Sequence, residues 1–118
     1  MDNAAVQEIF AGLGEVTIKR LFSGKGLYHH GLIVGAVMDG EVLLKADAAS
    51  EPSFQSAGAI QWIYQYPDGR TIKMPYWTLP ADALDDADQL AAWVKLAYAA
   101  AIRAPKQRPK SKPGKRSS

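Results

Sequence analysis

Val37-Met38-Asp39-Gly40-Glu41-Val42-Leu43-Leu44 decides the fold. Asp-Gly tolerates the positive φ angles of a two-residue type I′ turn, whose twist matches the strands on either side. The octapeptide therefore predicts a β-hairpin. A second hairpin follows downstream. Trp62, Tyr64 and Tyr66 alternate with Gln61, Ile63 and Gln65. Pro67-Asp68-Gly69 then turns the chain, and Ile72, Met74 and Tyr76 alternate with Thr71, Lys73 and Pro75. Period-two alternation on both arms reads as paired strands with one aromatic-rich face.

Upstream, residues 15–22 carry β-branched Val16, Thr17 and Ile18 and read as a strand. Ser23-Gly24-Lys25-Gly26 reads as the turn after it. One strand is then predicted over residues 27–38, with Gly31 and Gly35 marking a bulge or bend. Helices bracket these strands. Val6, Ile9, Phe10 and Leu13 share one helical face within residues 3–13, with Asp2 or Asn3 as cap and Gly14 as stop. Residues 50–57 read as a short helix with Pro52 in its first turn and Gly58 after it. Residues 80–84 read as a helical turn. Leu90, Trp93, Val94, Ala97, Tyr98 and Ala101 stripe a longer helix over residues 87–103. The predicted order is α-β-β-β-α-β-β-α. It implies an α+β two-layer sandwich, with helices covering one face of an antiparallel sheet of about five strands.

The 118 residues allow one small domain, expected over residues 1–103, and 47% hydrophobic content can supply its core. Cysteine is absent, which removes thiol catalysis, disulfides and cysteine-bound metals. The start of the chain lacks a basic and apolar leader, and no apolar run reaches membrane-spanning length. A cytoplasmic protein without a membrane role is expected.

The acid–base inventory argues against catalysis. His29-His30 is the only histidine pair, and adjacent strand residues point to opposite faces, so the two rings should not share a metal. Asp82, Asp85, Asp86 and Asp88 stand where helix caps and dipole partners belong. Ser23-Gly24-Lys25-Gly26 lacks the spacing and following helix of a phosphate loop, which leaves a weak anion or partner contact through Arg20 and Lys25. No catalytic residue, cofactor or metal site is expected. The aromatic face could stack bases, but rings at alternating strand positions are expected to fill the core beneath the helices.

Charge is distributed unevenly. From Arg103 onward there are seven cations and no acid: Arg103, Lys106, Arg108, Lys110, Lys112, Lys115 and Arg116. The preceding 102 residues carry seven cations and all twelve acids. Residues 104–118, rich in proline and lysine, are expected to be flexible. Such cations neutralise phosphates irrespective of base sequence, which would give nonspecific DNA or RNA contact; a solubilising tail that binds nothing, or one that folds back on the acidic body, would carry the same charges.

Several segments together resemble the TfoX N-terminal domain family of competence regulators. Leu21-Phe22-Ser23-Gly24-Lys25-Gly26-Leu27-Tyr28 is similar to its Phe-Gly-Gly-x-Gly-Leu/Ile-Tyr signature, with Ser23 at the second position of that signature. The Asp39-Gly40 hairpin is followed by Leu44-Lys45-Ala46-Asp47, like its Leu-Lys-x-Asp. Phe54 with Ala57-Gly58, then Met74-Pro75-Tyr76-Trp77-Thr78-Leu79-Pro80, then Leu90 with Trp93, continue the likeness over residues 8–102. The resemblance implies a secretion-chaperone-like fold and a regulatory role with the transcription machinery. The expected function is a non-enzymatic adaptor, monomeric or weakly dimeric, that works through a protein partner. The alternative is a small-ligand domain or unrecognised enzyme, with a pocket between sheet and helices near Tyr28 and Tyr76.

Overall fold

The computed structural model describes residues 2–21 and 23–104. Helix α1 spans Asn3–Ile9. Strands β1 (Thr17–Leu21), β2 (Gly24–His29), β3 (Leu32–Met38) and β4 (Glu41–Lys45) follow. Helix α2 (Glu51–Ser56), strands β5 (Gln61–Gln65) and β6 (Thr71–Thr78), a 3-10 turn over Ala81–Asp85 and helix α3 (Ala87–Arg103) complete the described chain. All strands pair antiparallel in one sheet of order β1-β2-β3-β4-β6-β5.

The fold is the expected α+β class with one strand more than the pattern implied. The single strand predicted over residues 27–38 is a hairpin. His30 and Gly31 both take positive φ, 51° and 80°, and fold β3 back on β2 in a two-residue turn. Gly35 does stand beside a bulge: Leu27 faces Gly35 and Tyr28 faces Ile33, leaving Val34 extra. The glycine-rich turn also moves. Leu21 pairs with Gly24, so Gly24-Lys25-Gly26 lies within β2 rather than in the turn. A Cβ on Gly24 would stand 2.0 Å from the Val37 carbonyl oxygen, and one on Gly35 would stand 2.3 Å from that of Leu43. Both positions require glycine because neighbouring backbone fills the space.

The helix ends follow from local chemistry. Asp2 caps α1 by accepting from the Ala5 N–H at 2.8 Å, and Gly14 leaves the following turn at φ 103°. Asp86 caps α3 by accepting from the Asp88 and Gln89 N–H groups. Ser50 adds no side-chain cap to α2; its hydroxyl accepts from the Asp47 N–H instead.

One sheet face carries the helices. Val6, Phe10, Leu27, Val34, Leu44, Phe54 and Val94 are sealed from solvent there, together with Trp77. Phe54 packs 4.8 Å from the Trp93 ring and 6.1 Å from Trp77. On the opposite face, which carries no helix among the described residues, Ala36, Met38, Leu43 and Tyr76 form a second cluster, flanked by Leu21, Ile33, Trp62 and Met74. Among the described residues no helix is long and apolar enough to cross a membrane.

Candidate nucleic-acid interface

Strand alternation puts the aromatic residues on the helix-free face. Trp62 and Tyr64 come from β5, Tyr66 follows it, and Tyr76 comes from β6. Only Trp77, one residue on from Tyr76, turns under the helices. The expectation that these rings fill the core beneath the helices therefore holds for Trp77 and fails for the other four. Their centroids form a row: Tyr66 to Tyr64 is 5.0 Å, Tyr64 to Trp62 is 6.1 Å and Trp62 to Tyr76 is 6.4 Å, all edge-to-face. A bulge builds the last contact. Gln61 faces Trp77 while Ile63 faces Lys73, so Met74, Pro75 and Tyr76 together oppose Trp62. Proline is tolerated in such an interruption, and the Gln61 side-chain amide donates to the Met74 carbonyl at 2.9 Å.

Cations accompany the rings. The Arg70 guanidinium lies 4.7 Å from the Tyr66 centroid, Lys45 Nζ 5.4 Å from Tyr76 and Lys19 Nζ 5.3 Å from Tyr28. Burial lowers the Lys45 ammonium below its usual range, against the opposing pull of Asp47. Tyr76 is pushed up to about 12, first by burial and then by Tyr28, so its hydroxyl stays protonated at physiological pH.

The two layers differ in sign. Within residues 1–102, Lys19, Arg20, Lys25, Lys45 and Lys73 lie on strands, Arg70 lies beside the last hairpin turn, and Lys95 alone lies on a helix. Of the twelve acids, Glu41 alone is on a strand, and Asp39 and Asp68 sit in hairpin turns. The other nine lie in the helices, at their caps or in the segments that join helices to strands. The net negative charge of the folded body is thus a property of its helical layer.

Arg20 and Lys25 are direct cross-strand partners on β1 and β2. Like charges so placed repel unless a neighbour relieves them. Lys25 Nζ donates to Asn3 Oδ1 at 2.7 Å, which ties the pair to the start of α1. Both cations line a cavity of about 450 Å³ at this hairpin, with Lys19, Ser23 and Gly24. Arg103 is placed differently. Its guanidinium donates to both Asp47 oxygens, at 2.8 and 3.0 Å, and fixes the end of α3 to the segment after β4. That hydrogen bond is the main reason the Asp47 carboxyl drops to about 2. Lys106, Arg108, Lys110, Lys112, Lys115 and Arg116 lie outside the described residues, as does the expectation of a flexible segment.

Two further sequence readings need correction. His29 and His30 do not diverge: their rings stack at 4.1 Å because His30 sits in the left-handed turn. His29 Nδ1 is 3.0 Å from the Glu15 carbonyl, and His30 Nδ1 is 3.3 Å from the Tyr98 hydroxyl. Among the described residues no group of three or more metal-ligating side chains forms. Tyr28 and Tyr76, the residues expected beside a pocket between sheet and helices, lie on the other side of the sheet. Both tyrosines serve the helix-free face, while sealed apolar side chains pack between the layers.

Sequence reasoning missed the Asp47–Arg103 tie and the clamp in which Gln7 donates to the Val16 carbonyl and accepts from its N–H. Neither carries a local pattern. Residues 8–101 match the family model described as the TfoX N-terminal domain. No curated protein matches the chain.

Proposed function

The chain belongs to the TfoX N-terminal domain family, whose members are regulatory, competence-related domains, and from that premise we propose a non-enzymatic adaptor that unites a protein partner with nucleic acid. The folded body meets the protein partner, and in this reading that partner is part of the transcription machinery. The cation-rich segment after α3 meets phosphates. The observation that carries this reading is the separation of charge. Nine acids are held in the helical layer, and cations collect on the sheet and in the run that follows Arg103.

Each group then has a role. Lys106, Arg108, Lys110, Lys112, Lys115 and Arg116 neutralise backbone phosphates. Arg103 is engaged by Asp47 and acts as the anchor from which they extend. Arg20 and Lys25, held side by side, add an anion contact on the body. Nothing in this scheme reads bases in a groove, so attraction is sequence-independent and falls steeply with salt.

A gel-retardation assay with and without residues 104–118 tests it. The full chain is expected to shift duplex DNA at low salt, with a log–log salt slope of up to about −5 if all six cations beyond Arg103 reach phosphates. The shortened chain is expected to lose most of that slope. Absence of a shift by the full chain at low salt would remove the nucleic-acid half of the proposal. A pull-down with the shortened body then isolates shape-specific recognition of protein from charge attraction.

A further inference from the structure

We propose that the helix-free face of the sheet is a stacking platform for an unpaired nucleic-acid strand. The proposal rests on the nucleic-acid reading above and extends it from the cation-rich segment to the folded body. Four rings stand in a connected row, Tyr66, Tyr64, Trp62 and Tyr76, with neighbouring centroids 5.0 to 6.4 Å apart. Each base has a π face, so such a row accepts any sequence. The rings are also held in place. Their edge-to-face contacts fix them against one another, and Leu43, Met74 and the buried Tyr76 lie alongside. Trp62 and Tyr64 remain partly open to solvent, and Tyr66 is exposed.

Charge complementarity selects the occupant. Arg70 stands at the Tyr66 end of the row, where it also pairs with Asp68 at 2.7 Å; Lys45 stands at the Tyr76 end, with Lys19 beyond it over Tyr28. Stacked bases on the rings would bring their linking phosphates past these cations. Glu41 is the single strand-borne acid. A second copy of the chain laid face to face would set one cation-bearing face against another. A duplex keeps its base faces stacked inside and offers the rings nothing. An unpaired strand meets both requirements at once.

The test uses the full chain and a labelled oligothymidylate of about 20 nucleotides, followed by fluorescence anisotropy at fixed salt. Oligouridylate of equal length separates DNA from RNA, and binding of either through the rings supports the platform. Trp62→Leu combined with Tyr64→Leu is expected to weaken binding by roughly five-fold or more while leaving the salt slope unchanged. Trp62→Phe keeps an aromatic ring at the site and guards against a folding artefact. It is expected to bind like the natural protein and to abolish the quenching of tryptophan emission, since Trp77 and Trp93 lie on the helix side. Undiminished binding by the double leucine variant would overturn the platform and leave the cation-rich segment as the site. Equal affinity for a duplex of the same length would overturn it too, as would displacement of the oligonucleotide by polyglutamate at equal charge. Binding by no variant and no natural protein at low salt would instead remove the broader nucleic-acid reading.

Discussion

The two faces of the sheet are built by the same strands and have opposite characters. Leu44 and Trp77 point under the helices; Leu43 and Tyr76, one residue away on the same strands, point to the open side. The covered face is largely aliphatic, and its helices are acidic on the outside. The open face is aromatic and lined with cations. Stability resides mainly in the first, where side chains are sealed from water and touch helices on one side and strands on the other. The second leaves apolar surface within reach of solvent, and it is the face for which recognition is proposed. A two-layer fold with helices on one side supplies this division without any additional domain.

The sharpest way to break the comparison is to truncate each side in turn. Phe54→Ala, in the covered core, is expected to cost about 3–5 kcal/mol in a urea unfolding measurement. Tyr66→Ala, on the open side, should cost less than about 1 kcal/mol. Equal losses would show that both faces are load-sharing cores. Gly35→Val is expected to destabilise by about 3 kcal/mol, since its Cβ would meet the Leu43 backbone oxygen at the bulge where the two faces are set. A variant of natural stability would mean the strands can part there.

The smallest effect concerns the helical layer's tie to the sheet. The Asp47 carboxyl titrates at about 2 in the folded chain, against an ordinary value of 3.8, chiefly because the Arg103 guanidinium bonds it. A depressed carboxyl stabilises above its unfolded pKa and loses that contribution as pH falls through the folded one. The advantage of the natural protein over Asp47→Asn should therefore be complete above pH 4 and vanish toward pH 2. The pair is partly open to water, so the shift in urea midpoint should be smaller than for any core truncation. A difference that persists at pH 2 would assign the effect to packing rather than charge.

Much of this architecture was readable in the sequence. Asp39-Gly40 announces its hairpin because both residues accept positive φ, and they adopt 52° and 77°. The limits of α3 follow from its apolar stripe and its capping Asp86. The His30-Gly31 turn escaped because histidine in a left-handed position gives no turn signal, and the apolar run on either side suggested continuity. The harder limit was the open face. Alternation reveals that Trp62, Tyr64 and Tyr76 share a side. It cannot reveal which side the helices choose, because that depends on how α1 and α3 dock on Leu27, Val34 and Leu44. Arg20 and Lys25 were legible as a candidate contact but not as cross-strand partners, because the glycines around Lys25 suggested a turn where β2 already runs. The Asp47–Arg103 tie, spanning 56 positions, was not.

The glycine-rich run that marks the family has a consequence of its own. Gly24 abuts the Val37 carbonyl, and a Cβ at Gly26 would press on the Tyr28 ring at 3.0 Å. Crowding by the neighbouring strand at Gly24 and by the Tyr28 ring at Gly26 accounts for both glycines in this chain, with no ligand required. To the extent that kinship over residues 8–101 rests on such positions, it speaks for a shape. Individual members are free to diverge in what they bind, through the side chains that the shape leaves uncommitted.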